Sequence, residues 1–201
     1  MNSKKSLFVI ICVVLVSLIM SSMVVNAAYP TYVSVIRTKA NPSKISKSGY
    51  TKITSSFKLI GGAREKFHSG NWAIAYVSNK TSYSVKYTIE ILDDRRFYFD
   101  KRLYGPKTYT RTAKIFQRAN GLFGVEITLE DGKKVIPNSN LEAQELMFNF
   151  SKTNRISARA LGSGKNRVYT RIKANWSGYL FSGSETVEDK KLPRVTVTVL
   201  K

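Results

Sequence analysis

Apolar and polar residues alternate with a period of two along most of the chain. The clearest case is residues 82–92, where the apolar positions are Tyr83, Val85, Tyr87, Ile89 and Ile91, and the positions between them are polar. Successive side chains of a β-strand point to opposite faces of the sheet. The pattern therefore predicts a strand with one face in a core and the other in water.

Similar strand signals recur every 10 to 12 residues and are separated by glycine, asparagine, aspartate and serine. Further strands are predicted at 31–38, 51–60, 71–78, 97–104, 109–117, 121–130, 147–152 and 194–201. The pair Asp131-Gly132 predicts a type I′ turn that closes a hairpin over 121–137. Short strands at this spacing favour an all-β protein, namely a single-domain antiparallel β-sandwich or barrel of about ten strands.

One segment departs from the strand pattern. Within 138–148, Ser139 precedes Glu142 by three positions, as in the capping box that begins many helices. The sequence therefore predicts at most one short helix, and places it here.

The first 27 residues have the organisation of a secretory signal peptide. A basic start precedes a long apolar stretch, and residues 25–27 carry small or modest side chains where a signal peptidase cleaves. We predict cleavage after Ala27 or Ala28, which leaves 28–201 as a single secreted β domain, long enough for a core of its own. The alternative is an uncleaved membrane anchor, because the apolar stretch is near the length that spans a bilayer.

Positive charge is the strongest compositional signal. The chain carries 33 lysines and arginines against 13 acidic residues, a formal net charge of +20. Loss of Lys4 and Lys5 with the signal peptide leaves 31 against 13, or +18, and loss of Cys12 leaves no thiol. Outside a cell, such a charge indicates an anionic partner: a teichoic acid, an acidic polysaccharide, an anionic membrane surface or, non-specifically, nucleic acid. The alternative is that the charge only keeps a secreted protein soluble.

Basic residues are concentrated in two blocks that contain no acidic residue. Residues 28–64 hold seven lysines and arginines, and residues 146–184 hold seven more. This asymmetry favours one basic face on the folded protein.

The second block contains the candidate binding site. Residues 154–176 are predicted to form two strands joined by the glycine-rich turn 162–166, with alternate positions on one face. That face would carry the predicted anion-binding residues, namely Arg155, Arg159, Lys165, Arg167, Tyr169, Arg171 and Lys173. Arginine forks match phosphates and carboxylates, and the tyrosine would stack on a sugar ring or an exposed base. The alternative is a solvated outer face whose long basic side chains only cover the sheet.

Signals for catalysis are weak. Residues 162–165 resemble part of a nucleotide-binding loop, but Asn166 stands where that loop needs serine or threonine, so no nucleotide is expected. His68 is the only histidine, and no two carboxylates are placed by the sequence across a cleft. We predict a protein that is not an enzyme and has no catalytic residues, metal or cofactor.

Three functions remain open on these grounds. The first is a secreted, non-enzymatic β domain that binds an anionic polymer of the cell envelope, such as teichoic acid or an acidic polysaccharide. The second is a membrane-active toxin or bacteriocin-like protein, in which an amphipathic hairpin at 154–176 inserts into anionic membranes. The third is a structural or assembly protein whose basic surface is merely solvated.

Overall fold

The computed structural model describes residues 30–68, 72–94, 99–179, 181–187 and 192–201. The predicted signal peptide and the side chain of His68 lie outside what is described. Residues Thr31–Lys201 form one compact unit.

Eleven strands and four short helices make up the described residues. The strands are β1 (Tyr32–Asn41), β2 (Lys44–Ile45), β3 (Tyr50–Ile60), β4 (Ser82–Asp93), β5 (Lys101–Gln117), β6 (Phe123–Thr128), β7 (Lys134–Val135), β8 (Asn149–Ser157), β9 (Gly164–Gly178), β10 (Phe181–Thr186) and β11 (Arg194–Val199). The helices are α1 (Gly62–His68), α2 (Trp72–Val77), α3 (Asn140–Phe148) and α4 (Ala158–Leu161).

The strands form two sheets. The small sheet has the order β1-β3-β8, and the large sheet has the order β2-β11-β9-β4-β5-β6-β7. Strands β10 and β11 pair with opposite ends of β9, and all pairs are antiparallel except β2 with β11. The predicted β-sandwich is confirmed.

The core lies between the two sheets, where the predicted alternation places its apolar side. All five apolar residues predicted to face inward on β4 are at most 3% exposed. The ring of Tyr87 on β4 lies 5.1 Å from that of Phe57 and 4.6 Å from that of Phe150, both on the small sheet. A buried hydrogen bond of 2.5 Å between Ser55 and Thr170 also links the sheets. Aromatic packing and this polar contact therefore help to fix the two sheets together.

The prediction of at most one short helix is correct for α3 and misses three others. Ser139 caps α3 by accepting a hydrogen bond from the backbone of Glu142 at 3.1 Å. The strand predicted at 71–78 is wrong, because Trp72–Val77 form α2. Trp72 and Ala75, three positions apart, are the buried residues of α2, a spacing that fits a helical turn rather than a strand. Contact with the core therefore overrides the local alternation.

The strands predicted at 97–104 and 109–117 merge, over their described residues, into the single strand β5. Gly105 and Pro106 lie in its middle, where the pairing with β4 shifts register. Gly105 has φ +84°, and a Cβ there would lie 2.4 Å from the backbone oxygen of Ile89. The glycine-proline pair therefore forms a bulge instead of ending the strand.

The predicted hairpin over 121–137 is present, but its turn differs from the expected type. Gly132 has φ +84° and donates a hydrogen bond to the Leu129 backbone oxygen at 3.0 Å. Glu130 and Asp131 have negative φ, which excludes a type I′ turn. The turn instead ends in a glycine bulge and places the Glu130 side chain against the core.

Candidate anion-binding site

Residues 154–176 do not form the predicted hairpin. Strand β8 pairs with β3 in the small sheet, whereas β9 pairs with β4 in the large sheet. Between them the chain forms α4, capped by Ser157, which accepts a hydrogen bond from the backbone of Ala160 at 3.3 Å. The helix buries Ala158 and Leu161 and carries the chain from one sheet to the other.

The alternation was right on β8 and, except at Tyr169, on β9, but the two outer faces point away from each other. The apolar residues of β8 and β9 approach one core from opposite sides, so their polar residues lie on opposite surfaces. Arg155 is exposed on the small sheet and Arg159 is exposed on α4. The other five predicted residues, Lys165, Arg167, Tyr169, Arg171 and Lys173, lie on β9.

Arginines of the large sheet form ion pairs with the chain's own carboxylates. Glu90 lies 3.3 Å from Arg171 and 3.2 Å from Arg102. Asp94 lies 3.9 Å from Arg167. The sequence could not show these pairs, because they form between strands whose register only the fold defines.

Tyr169 is not available for stacking on a ligand. Its side chain is fully buried, its hydroxyl donates a hydrogen bond to Asp100, and the Arg194 guanidinium lies 4.9 Å from its ring centre. Lys165 and Lys173 remain exposed on β9. The prediction of one continuous anion-binding face on 154–176 is therefore corrected.

A different concentration of charge lies on the outer face of the small sheet. Its cations come from all three strands and are Arg37, Lys39, Lys52, Lys58 and Arg155, which together we call the basic face. All are exposed except Lys58, which is half-buried. Among the described residues, none of the five forms an ion pair with a carboxylate. Four of these cations lie within residues 28–64, the first of the two blocks without acidic residues, and that concentration of charge was visible in the sequence.

Strand register sets the spacing of the basic face. Lys52 lies directly opposite Arg155, an arrangement of like charges that destabilises a sheet. The Arg155 guanidinium lies over the ring of Tyr50, 3.4 Å from its centre, which partly offsets this repulsion. Arg37 and Lys39 are two residues apart on β1, or about 7 Å. The face therefore presents several positive charges at short, regular intervals.

Hydroxyl groups occupy the centre of the basic face. Thr54 and Thr153 are hydrogen-bonded at 2.8 Å, and Ser56 and Ser151 at 3.2 Å. Short side chains in this position leave the surrounding long cationic side chains accessible from one direction.

An open cleft of about 490 Å³ adjoins the basic face. It lies where the chain leaves β1, passes through β2 and enters β3, and it shares Lys52 with the face. Its lining residues are Asn41, Pro42, Lys44, Ile45, Ser46, Gly49, Tyr50 and Lys52. The lining thus combines two lysines with polar, aromatic and apolar groups.

A buried polar cluster lies elsewhere, where the β6–β7 turn meets β5 and β8. The Arg111 guanidinium lies 2.8 Å from Glu130 and donates to the Asn149 backbone oxygen at 2.7 Å. Tyr87 donates a hydrogen bond to the same carboxylate, and Lys152 lies 3.5 Å from it. These contacts join the turn to both sheets.

The pKa shifts of Tyr87 and Glu130 both run away from neutral pH, so neither group suits proton transfer there. Burial raises the pKa of Tyr87 well above its usual range, and its hydrogen bond to Glu130 raises it further. Burial opposes ionisation of Glu130, but hydrogen bonds from Tyr87 and Arg111 outweigh it and lower that pKa. The ring of Tyr109 stacks on that of Tyr87 with their centres 5.3 Å apart, and burial and a hydrogen bond with Tyr104 raise the pKa of Tyr109 to about 12. An efficient acid–base catalyst has a pKa near the working pH, so the cluster fits a structural role.

No three histidine, cysteine, aspartate or glutamate side chains in the described ranges lie close enough together to hold a metal ion. Within those same ranges, no helix has the length and apolar character needed to span a bilayer.

No protein-family model and no curated protein matches the chain. Among solved structures, the chain is similar to AggA, the major subunit of aggregative adherence fimbriae type I from Escherichia coli. The two share 11% sequence identity, the similarity covers 85% of this chain and 95% of that chain, and the TM-score is 0.32. A likeness this low carries no argument about function.

Proposed function

We propose that the protein is a secreted, non-enzymatic β-sandwich that binds an anionic polymer of the cell envelope, a teichoic acid or an acidic polysaccharide, through the basic face. The observation that carries the proposal is a set of five cations on one sheet surface with no carboxylate partner among the described residues. Secretion rests on the signal-peptide pattern of residues 1–27.

The cost of the arrangement supports a role in binding. Like charges placed opposite one another weaken strand pairing, and the large sheet of the same protein relieves such repulsion with Glu90 and Asp94. The basic face has no such relief from described residues beyond the contact of Arg155 with Tyr50. An external polyanion would quench this charge and release its own counterions, which favours association.

The dimensions of the face suit a linear polymer. Lys52 and Lys58 are six residues apart on β3, or about 20 Å, and the three strands together are about 10 Å wide. A chain with an anionic group every few ångströms would meet several cations at once. Such multivalent contact needs no deep pocket, because repeated weak ion pairs supply the affinity.

Salt-dependent binding to immobilised polymer tests the proposal. Retention on teichoic acid and on an acidic polysaccharide would be measured between about 0.05 M and about 0.5 M salt, across which the screening length falls several-fold. We expect the logarithm of the binding constant to fall linearly with the logarithm of salt, with a slope steeper than about −3 for five contacts. The variant Arg37→Gln with Lys39→Gln should reduce that slope by about one to two.

The matched control is Lys165→Gln with Lys173→Gln, which removes two exposed cations from the large sheet. Equal losses of polymer binding for the two double variants would contradict a role specific to the basic face. Equal retention on neutral and anionic supports would favour a structural protein with a solvated surface. Dye release from anionic vesicles would favour a membrane-active protein, although the hairpin once expected to insert is divided between two sheets.

A further inference from the structure

We propose that the cleft along the β1–β2–β3 connection binds a single anionic sugar unit, a pyranose ring that carries one carboxylate or phosphate group. The inference rests on the proposed function and deepens it, because the cleft shares Lys52 with the basic face. The polymer would lie along the face and place one of its units in the cleft.

The size and lining of the cleft suit this ligand. Its volume of about 490 Å³ lies within the range of roughly 300–1,000 Å³ typical of small-molecule sites. Lys44 and Lys52 provide positive charge, and Asn41 and Ser46 provide hydrogen-bonding groups for hydroxyls. Such a site matches a ring that has hydroxyls, C–H groups and a negative charge.

The cleft also has the apolar wall that a sugar ring requires. Pro42, Ile45 and the ring of Tyr50 line it, and a pyranose packs its C–H groups against surfaces of this kind. The guanidinium of Arg155 lies over the Tyr50 ring, and Arg155 pairs directly opposite Lys52, so a third cation stands next to the cleft. A bare anion would use only the charges and leave this wall uncovered.

The backbone around the cleft is held firmly before any ligand binds. Thr51 on β3 is fully buried and donates its hydroxyl hydrogen to the Pro42 backbone oxygen at 2.7 Å. The Ile45 backbone oxygen accepts from the Leu200 backbone N–H at 2.9 Å. Similar backbone hydrogen bonds join Thr198 to Ser43 and Ala158 to Gly49, so both sheets anchor the segment from β1 to β3. A preorganised site loses less conformational entropy on binding, which favours recognition of a small ligand.

Calorimetric titration with four small probes tests the inference on the intact protein. The probes are glucuronate, glucose 6-phosphate, glucose, and inorganic phosphate. We expect measurable binding of at least one of the two anionic sugars, and binding at least about tenfold weaker for glucose and for inorganic phosphate. Which anionic sugar binds identifies the charged group, carboxylate or phosphate.

Two matched lysine variants locate the binding. Lys44→Gln removes a charge from the cleft alone and should weaken binding of the anionic sugar by about tenfold. Lys58→Gln removes a charge from the far end of the basic face and should leave that binding unchanged. Both lysines are on the surface, and circular dichroism would show that each variant keeps its fold.

The results separate this inference from the proposed function. If the protein is retained on polymer but binds neither anionic sugar, the cleft site is wrong and the proposed function still stands. The cleft site is also wrong if Lys44→Gln and Lys58→Gln weaken sugar binding equally. It is likewise wrong if inorganic phosphate binds as tightly as the anionic sugars. Sugar binding lost only in Lys44→Gln, without salt-dependent polymer retention, would support the cleft and refute the role of the basic face.

Discussion

Replacing Glu130 with glutamine should destabilise the fold more than any other single change of a charged residue in the β6–β7 hairpin. The Glu130 and Arg111 side chains are only 6% and 9% exposed, and their closest contact is 2.8 Å. Tyr87 and Lys152 contact the same carboxylate. Glutamine keeps the shape and one acceptor oxygen but removes the negative charge, so the buried guanidinium loses its counterion.

The expected loss follows from the burial of the pair. Removing one partner of a buried ion pair costs about 3–5 kcal/mol, because the other charge stays buried and unmatched. Glutamine retains hydrogen bonding, and Arg111 keeps its bond to the Asn149 backbone oxygen. We therefore expect the free energy of unfolding to fall by about 2–3 kcal/mol at neutral pH.

The loss should depend on pH in a defined direction. The folded-state pKa of Glu130 lies below its ordinary value, so its ionisation stabilises the fold above the unfolded pKa of about 4.3. That stabilisation disappears as the pH falls through the folded pKa. The difference between the parent protein and the variant should therefore be full above about pH 5 and shrink in more acidic solution.

Urea unfolding at several pH values measures both effects, with the denaturant slope as a check that the transition stays two-state. Glu126→Gln is the matched control, because Glu126 lies on the same hairpin and pairs at 2.9 Å with the largely exposed Lys134. This exposed pair should contribute no more than about 1 kcal/mol. Equal losses for the two variants, or a loss for Glu130→Gln that does not change with pH, would refute the reasoning.

Two further changes test contacts in the fold. Ser55→Ala or Thr170→Val alone should lower the free energy of unfolding by about 1–3 kcal/mol, because each change leaves a buried hydroxyl unpaired. In a double-mutant cycle measured by thermal or urea unfolding, the double variant should lose less than the sum of the two single losses. Additive losses would show that the 2.5 Å contact between the sheets is unimportant. Gly105→Ala should lower the thermal midpoint far more than Gly121→Ala, since both have positive φ but only Gly105 has backbone atoms within 4 Å of the added Cβ. Similar midpoints would contradict the close approach at the bulge.

Local sequence patterns determined much of the secondary structure. Period-two alternation placed β4 and its buried side correctly, because a strand with one face on a core has few other ways to arrange its apolar residues. The cap at Ser139 predicted α3, since it depends only on residues three positions apart. The same reasoning failed for the strand predicted at 71–78, because Trp72–Val77 form a helix that buries Trp72 and Ala75 in the core.

The candidate site depended on information that no local pattern contains. Alternation showed which residues of β8 and β9 face outward, with the exception of the buried Tyr169. Only tertiary structure assigned the strands to different sheets and separated Arg155 from Arg171. Only the register between strands brought Glu90 to Arg171 and left Lys52 opposite Arg155. The sequence alone determined the sign and amount of charge and the β class, because these follow from composition and neighbouring residues. Contacts between residues far apart in the chain decided where that charge is neutralised and where it remains open to a partner.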